Sequence, residues 1–358
     1  MSERGWRRPR QADIAKEAGV SQATVSYVIS GRTDGPNIPE TTRARVLEAA
    51  RRLGYVLNPV ARNLAGGSTK LIGVYTFESV FPLDHHDFYH PFLVGIEAAA
   101  EAYGYDLVMF TSATGSDGRR SIYREGVNRL AITDGCVLLG KHADRGELAR
   151  LRDDGFPFTY VGRREIPGGA ISYSAADYAS ATARVVDHLA GLGHRRIAYV
   201  GTATPGEYTA DRDTGFWSSV RRHALDVDGL IHPAPPGGLT VEEVRRLRED
   251  GATAFVVHDA VEALRVQDIL TGLGVRVPQD CSLAALNDPP DDTPTSLELT
   301  CFRIPRREMG TEAVNLLMER LERGPEADPR SVTLPCTFIP GQSSGPAPGP
   351  VQRGSTAR

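Results

Sequence analysis

In residues 11–54, apolar positions recur at helical spacing in short blocks. Ile14, Ala15 and Ala18 share one face of a first helix. Val25, Val28 and Ile29 form the buried stripe of a second, and a third is predicted over Glu40–Leu53. Between the first two, Gly19 is able to take the positive φ of a tight turn. Ser21 follows as a natural N-cap, because its hydroxyl accepts an otherwise unpaired backbone N–H. Gln22, Ala23 and Tyr27 are left facing outward, on the surface that enters the major groove in a helix-turn-helix.

From Leu71 the pattern changes. Short apolar runs at Leu71–Phe77, Leu107–Phe110, Gly135–Leu139 and Thr159–Val161 bracket helical stretches such as Phe92–Tyr103. A second series follows: Ala179–Leu192, Ile197–Gly201, Phe216–Leu225, Ala254–His258, Leu264–Leu273 and Ser282–Leu286. Fully apolar strands alternating with helices predict parallel sheets covered on both faces. Two series predict two subdomains, with a ligand between them at the carboxyl ends of the strands. The expected fold is an N-terminal all-α helix-turn-helix head plus an α/β body of two parallel-sheet subdomains. The expected divisions are a flexible arm (1–10), the helix-turn-helix head (11–57), a short linking segment (58–68), the α/β body (69–340) and a disordered Gly/Pro/Ser-rich tail (341–358).

Composition narrows the class. The chain has 358 residues, 41% hydrophobic and 24% charged, room for two or three domains of an ordinary globular protein. No apolar run reaches the ~18 residues of a membrane span, and the Arg-rich N-terminus lacks a signal-peptide core, so a cytoplasmic location is expected. The cysteines, Cys136, Cys281, Cys301 and Cys336, are far apart and read as reduced structural thiols. The net charge of −4 hides an asymmetry. Residues 1–70 carry 12 Lys+Arg against 6 Asp+Glu, and the remainder 29 against 39. A basic head on an acidic body fits phosphate contact through the head alone.

The run DIAKEAGVSQATVSYVISG (13–31), followed by TTRARVLEAARRLGYVLNPVARNLAGGSTKLIGV (41–74), resembles the head and hinge of the lactose/galactose-repressor (LacI/GalR) family, and the resemblance covers nearly the whole chain. It implies a body like the periplasmic sugar-binding proteins, in which late segments, here Leu299–Arg303 and Val332–Ile339, return to the first subdomain. It implies a hinge helix for the link (58–68) and an effector-binding, dimerisation role for the body (69–340). It also implies a homodimer or tetramer on a palindromic double-stranded DNA operator, because two heads are needed for symmetric half-sites.

On the reading helix, Gln22 is able to pair with adenine or reach guanine, and Ala23 to meet a thymine methyl. Tyr27 stands where many family members carry Arg, and tyrosine cannot fork onto guanine. Ser21, Thr24 and Ser26 are better placed for phosphates. Arg32 is a further backbone contact, on a connection at 31–37 that is longer than usual. In the hinge, Pro59 suits a first helical position, and Asn58, Ala61, Arg62 and Leu64 match the family's minor-groove helix, Leu64 being the residue that wedges into a base step.

The same resemblance places an effector site at Phe88, Tyr89, Arg163, Asp177, Arg212, Phe216, His258, Asp259 and Asn287. Phe216 is assigned to stacking on a ligand ring, Arg212 to a hydroxyl or carboxylate, and His258 to a cationic role. A sugar is the leading ligand class; nucleoside, amino-acid-derived and phosphorylated ligands are the others. His85, His86 and His90 lie beside Asp84 and Asp87, but a polar loop accounts for them and no metal or cofactor is expected. No P-loop, GxSxG or HExxH motif is present, so the chain does not read as an enzyme. The alternatives are a sugar-binding protein without a regulatory role and a regulator that binds DNA independently of any effector.

Overall fold

Polar and apolar positions sort into two structural regions in the computed structural model, which describes residues 9–30, 38–55, 68–78, 88–112, 120–203, 206–234, 238–290, 297–324 and 327–349. The head holds α1 (Gln11–Ala18), α2 (Gln22–Ser30) and α3 (Glu40–Arg52). Asp13 accepts the Arg10 N–H at the start of α1, and Gly19 ends that helix in the left-handed conformation at φ 63°. The expected stripes do meet: Ile14, Val25 and Val46 are each 0% exposed in one small core. Burying such side chains contributes about 1.5–3 kcal/mol each, and this matters in helices too short to persist alone.

The body opens with β1 (Leu71–Thr76), α4 (His90–Ala102) and β2 (Asp106–Phe110). A small hairpin, β3 (Tyr123–Arg124) and β4 (Val127–Asn128), precedes β5 (Gly135–Leu139), α5 (Arg145–Asp153), β6 (Phe158–Val161) and β7 (Tyr173–Ala176). The second unit contains α6 (Tyr178–Gly191), β8 (Ile197–Thr202), α7 (Glu207–His223), β9 (Ile231–Ala234), α8 (Val241–Glu249), β10 (Ala254–Val257), α9 (Ala260–Gly272) and β11 (Ser282–Ala285). The chain finishes with β12 (Cys301–Arg303), α10 (Arg306–Arg323), β13 (Ser331–Leu334) and β14 (Thr337–Ile339).

Two parallel sheets result, in the orders β13-β7-β6-β5-β1-β2 and β11-β10-β8-β9. Strands β5, β6, β10 and β11 are buried along their whole length, which is why they read as unbroken apolar runs. The return of late segments follows a different division from the expected one. β13 joins the first sheet beside β7, and α10 packs against α4. Residues 301–303 do not join that sheet; β12 pairs antiparallel with β14 in a ribbon of its own.

The expected disordered tail begins too early. Residues 341–349 are docked on the second sheet. Leu283 N–H donates to Ser343 O at 2.8 Å, the Ser343 hydroxyl donates back to Leu283 O at 2.6 Å, and Ser343 is 0% exposed. Farther along, His194 Nε2 holds Gly345 O at 3.1 Å, and Ala347 N–H donates to Leu192 O at 2.9 Å. The Gly/Ser composition that suggested disorder instead supplies small residues that fit against β11, where Ser343 pairs both the N–H and the carbonyl of Leu283. Residues 350–358 lie outside the described residues.

Candidate DNA-reading helix and interdomain cleft

On α2, Ser21, Gln22 and Ala23 are exposed, as the spacing predicts. The Ser21 hydroxyl accepts the Thr24 N–H at 3.1 Å and lies 2.9 Å from the Thr24 hydroxyl. These hydroxyls therefore also build the cap, which fixes the angle at which Gln22 and Ala23 leave the turn. Ser26 and Tyr27 are half-buried, so Tyr27 is less outward than its spacing suggested. Arg32, Asn58, Ala61, Arg62 and Leu64 lie outside the described residues, as do His85, His86, Asp84 and Asp87; His90 opens α4.

The second candidate site is a cavity of about 450 Å³ between the subdomains, at the carboxyl ends of both sheets. The first subdomain supplies Phe88, Tyr89, the turn Gly140-Lys141-His142 after β5, and Arg163 and Arg164 after β6. The second supplies Tyr208, Asp211 and Arg212 from α7, His258 and Asp259 after β10, and Asn287 after β11. Tyr178, at the crossover, completes the wall.

At the rim, basic residues of one subdomain meet acids of the other. Arg163 makes a two-pronged contact with Asp211, at 2.7 Å through Nη2 and 3.2 Å through Nε, and also reaches Glu165 at 2.5 Å. Arg164 pairs with Glu207 at 3.2 Å, and Arg145 reaches the same carboxylate at 3.0 Å. Arg164 and Glu207 are only 7% and 6% exposed, so neither charge is offset by bulk water. Burial pushes the Glu207 carboxyl up, but backbone N–H donors, Arg164 and Arg145 outweigh this and hold it below its ordinary range. Glu78 ties the first subdomain's loops, accepting from Tyr89 Oη at 2.7 Å and from the N–H of Lys141 and His142 at 2.7 and 2.6 Å.

The floor is built around Arg212, which is 5% exposed. Its guanidinium carbon lies 4.7 Å from the Tyr178 ring centroid, with Tyr208 and Phe302 at 5.7 and 5.8 Å. Arg212 Nη1 donates to His258 Nε2 at 2.6 Å. Only the arginine is able to donate in that contact, so Nε2 carries no proton and the ring is neutral, with its hydrogen on Nδ1. The expected cationic histidine is therefore corrected: burial, Arg212 and Lys141 together hold His258 well below its ordinary value.

Two further expectations are overturned. Asp177 does not line the cavity; its carboxylate caps α6, accepting Ser180 N–H at 3.0 Å. Phe216 is 0% exposed and stacks on Tyr199 at 4.2 Å in the core, so it meets no ligand ring. Its neighbour Gly215 explains the spacing: a Cβ there would sit 2.1 Å from Ala179 O, so glycine lets α7 press onto α6. Arg163 and Asn287 do line the cavity but are engaged elsewhere. Asn287 accepts Ala260 N–H at 2.7 Å and donates to Asp259 Oδ2 at 3.3 Å, which orders the start of α9. Lys141, Arg164, Tyr178, Tyr208 and Asp211 were not foreseen in the cavity. The alternation of α7 offered a signal, since Arg212 lies one turn before Phe216 and both are buried.

Among the described residues, no group of three or more His, Cys, Asp or Glu is arranged to hold a metal ion, and no helix is long and apolar enough to cross a membrane. The four cysteines are free thiols.

Residues 12–58 match the model for bacterial regulatory proteins of the lacI family, and residues 186–344 that for a periplasmic binding protein-like domain. The HTH-type transcriptional regulator MalR of Streptomyces coelicolor is 30% identical over 355 residues, covering 95% of this chain and 98% of its own. Among solved structures, the lac repressor dimer bound to operator and an anti-inducer aligns with TM-score 0.71 at 21% identity, over 95% of this chain and all of the other (100%). A CelR–cellobiose complex aligns with TM-score 0.65 at 24% identity, over 94% and 100%.

Proposed function

The chain belongs to the lacI family of bacterial regulatory proteins, and from that premise we propose that it is a homodimeric transcriptional repressor whose hold on a palindromic operator is set by a sugar-like effector in the interdomain cleft. Sequence-specific DNA binding follows from the family. Repression, the palindrome, the sugar and the cytoplasmic setting are the proposal. The observation that carries it is a capped reading helix with exposed Gln22 and Ala23 on the same chain as a two-sheet body with an aromatic and polar cavity.

In this reading Gln22 and Ala23 touch base edges, while Ser21, Thr24, Ser26 and Arg32 set the head on phosphates. Asn58, Ala61, Arg62 and Leu64 form the minor-groove hinge. The ligand meets Phe88, Tyr89, Arg212, His258 and Asp259, and Arg163 and Asn287 position the walls. Sugar as the ligand class is supported by the cavity volume, which suits a small molecule, and by the cellobiose held by the structural neighbour. A ligand that changes how the subdomains meet shifts the operator-binding population by its differential affinity for the two arrangements.

Selection of duplexes from a randomised pool by the full-length chain, with and without a panel of sugars, tests this. Recovery of a palindrome whose binding is altered by one of the sugars is expected, and recovery of no sequence above random competitor contradicts it. Leu64→Gly is expected to weaken operator binding and leave ligand affinity intact; an unchanged operator affinity contradicts the hinge.

A further inference from the structure

The rim and floor of the cleft differ in how their charges are answered. Each carboxylate lining the cavity is already engaged. Asp211 holds Arg163 with both oxygens. Glu262 accepts Leu239 N–H at 2.7 Å and Arg265 at 3.1 Å. Asp259 caps α9, accepting Val261 N–H at 2.9 Å, and its second oxygen takes Asn287.

Arg212 at the floor and Lys141 at the mouth have no such answer among the described residues. Arg212 is bonded only to the neutral ring and the backbone carbonyl of His258, with Asp259 felt through space but not bonded. Arg212 Nε and His258 Nδ1 are both buried and without a hydrogen-bond partner among the described residues. With Nε2 accepting from Arg212, that Nδ1 carries a hydrogen, so both orphaned atoms are donors. Lys141, exposed at the mouth, sits over the Phe88 ring at 5.2 Å and pairs with no carboxylate among the described residues. Buried donors left unpaired cost about 1–3 kcal/mol each, and an arginine does not lose its charge to escape that cost.

From this geometry we infer that the effector carries an anionic group, a carboxylate or a phosphate, seated between Arg212 and Lys141. The inference rests on the cleft being the effector site, and it narrows the ligand from sugars in general to acidic ones. A neutral sugar carries no charge to set against Arg212 or Lys141. An anionic oxygen answers both, with the stronger hydrogen bonds that charge gives.

Isothermal titration calorimetry of the full-length chain tests it, with D-gluconate, D-glucuronate and D-glucose 6-phosphate set beside D-glucose and cellobiose, and with inorganic phosphate as the simplest anion. At least one acid is expected to bind roughly ten- to a hundredfold more tightly than glucose, the value of one charge-assisted hydrogen bond. The sugar acids and the sugar phosphate then separate carboxylate from phosphate. Lys141→Glu, on an exposed side chain, is expected to abolish the preference for acid. Higher affinity for glucose or cellobiose than for every acid overturns the inference, as does an acid affinity that Lys141→Glu does not reduce. Both of those outcomes leave the sugar-responsive repressor standing. Silence from every anion also overturns it, and if in addition no probe moves operator binding, the effector reading falls with it.

Discussion

In the head, Gln22 and Ala23 stand exposed on α2 above a sealed core of Ile14, Val25 and Val46. In the cleft the polar side chains point the other way: Arg164, Glu207 and Arg212 are nearly as buried as those core residues. The two regions recognise by different physics. The head presents unengaged groups in water, where each contact is weak until DNA supplies the partner. The cleft stores its charges out of water, where an unanswered one is costly and a correct partner is correspondingly valuable.

The comparison is broken most severely at the rim. Glu207→Gln removes the charge that faces Arg164 from a site where both are under a tenth exposed. A loss of about 3–5 kcal/mol in denaturant unfolding is expected, as for one partner removed from a buried pair. A loss nearer the ~0–1 kcal/mol of surface pairs would mean that water reaches the rim.

Phe216→Ala probes the core beneath the floor and is expected to cost about 3–5 kcal/mol of stability. Once that loss is allowed for, ligand affinity measured well below the unfolding temperature is expected to hold. A selective loss of ligand affinity with stability intact would return Phe216 to the binding surface.

Acid separates the regions next. His258 is held well below its ordinary 6.5 by burial, Arg212 and Lys141, and burial lowers His188 and His194 as well. The unfolded chain therefore binds more protons than the folded one below about pH 6.5, and stability falls as the pH drops through that range. The slope reaches at most about 1.4 kcal/mol per pH unit for a histidine that is neutral in the folded chain and protonated in the unfolded one. Glu207, held below 4.5, adds its loss only at lower pH still. Among the described residues the head contains no histidine, so its unfolding is expected to be flat where the body's slopes. Thermal unfolding followed between pH 5 and 8 by hydrogen exchange, region by region, checks this; equal slopes would contradict it.

The smallest effect sharpens the head. Ser21→Ala removes the hydroxyl that accepts Thr24 N–H and is expected to cost about 1 kcal/mol of head stability. Operator affinity should fall by a similar factor for every sequence, because the cap positions the helix without reading bases. A change confined to one base position would assign Ser21 to direct readout.

Legibility follows the same division. The head was open to reading because its stripe obeys one period and its cap and turn residues are local in sequence. Strands β1, β5, β6, β8 and β10 were legible because central parallel strands are apolar for most of their length, whereas β7, with its polar Tyr173-Ser174 start, was not read as a strand. Helix α7 was cut short, Phe216–Leu225 against Glu207–His223, because its first turns carry the charges of the cleft instead of an apolar face. Helices α5 and α8 were missed for a related reason: each buries only two leucine or valine side chains beneath an otherwise charged surface. In the cleft, family spacing found Arg212 and His258 but not their roles. Those depend on Tyr178, Tyr208 and Lys141, which reach the same place from distant segments of the chain.

Ligand in the cleft and operator at the head are expected to be energetically coupled. Fluorescence anisotropy of the selected operator is read with the full-length chain and with Arg212→Gln, each titrated with the cleft ligand. A ligand-induced change in operator affinity of about tenfold or more is expected in the native chain, reduced to nearly none in the variant, whose ligand-free operator affinity is retained. An equal ligand response in both chains, or no response in the native chain at any ligand concentration that fills the cleft, would contradict it.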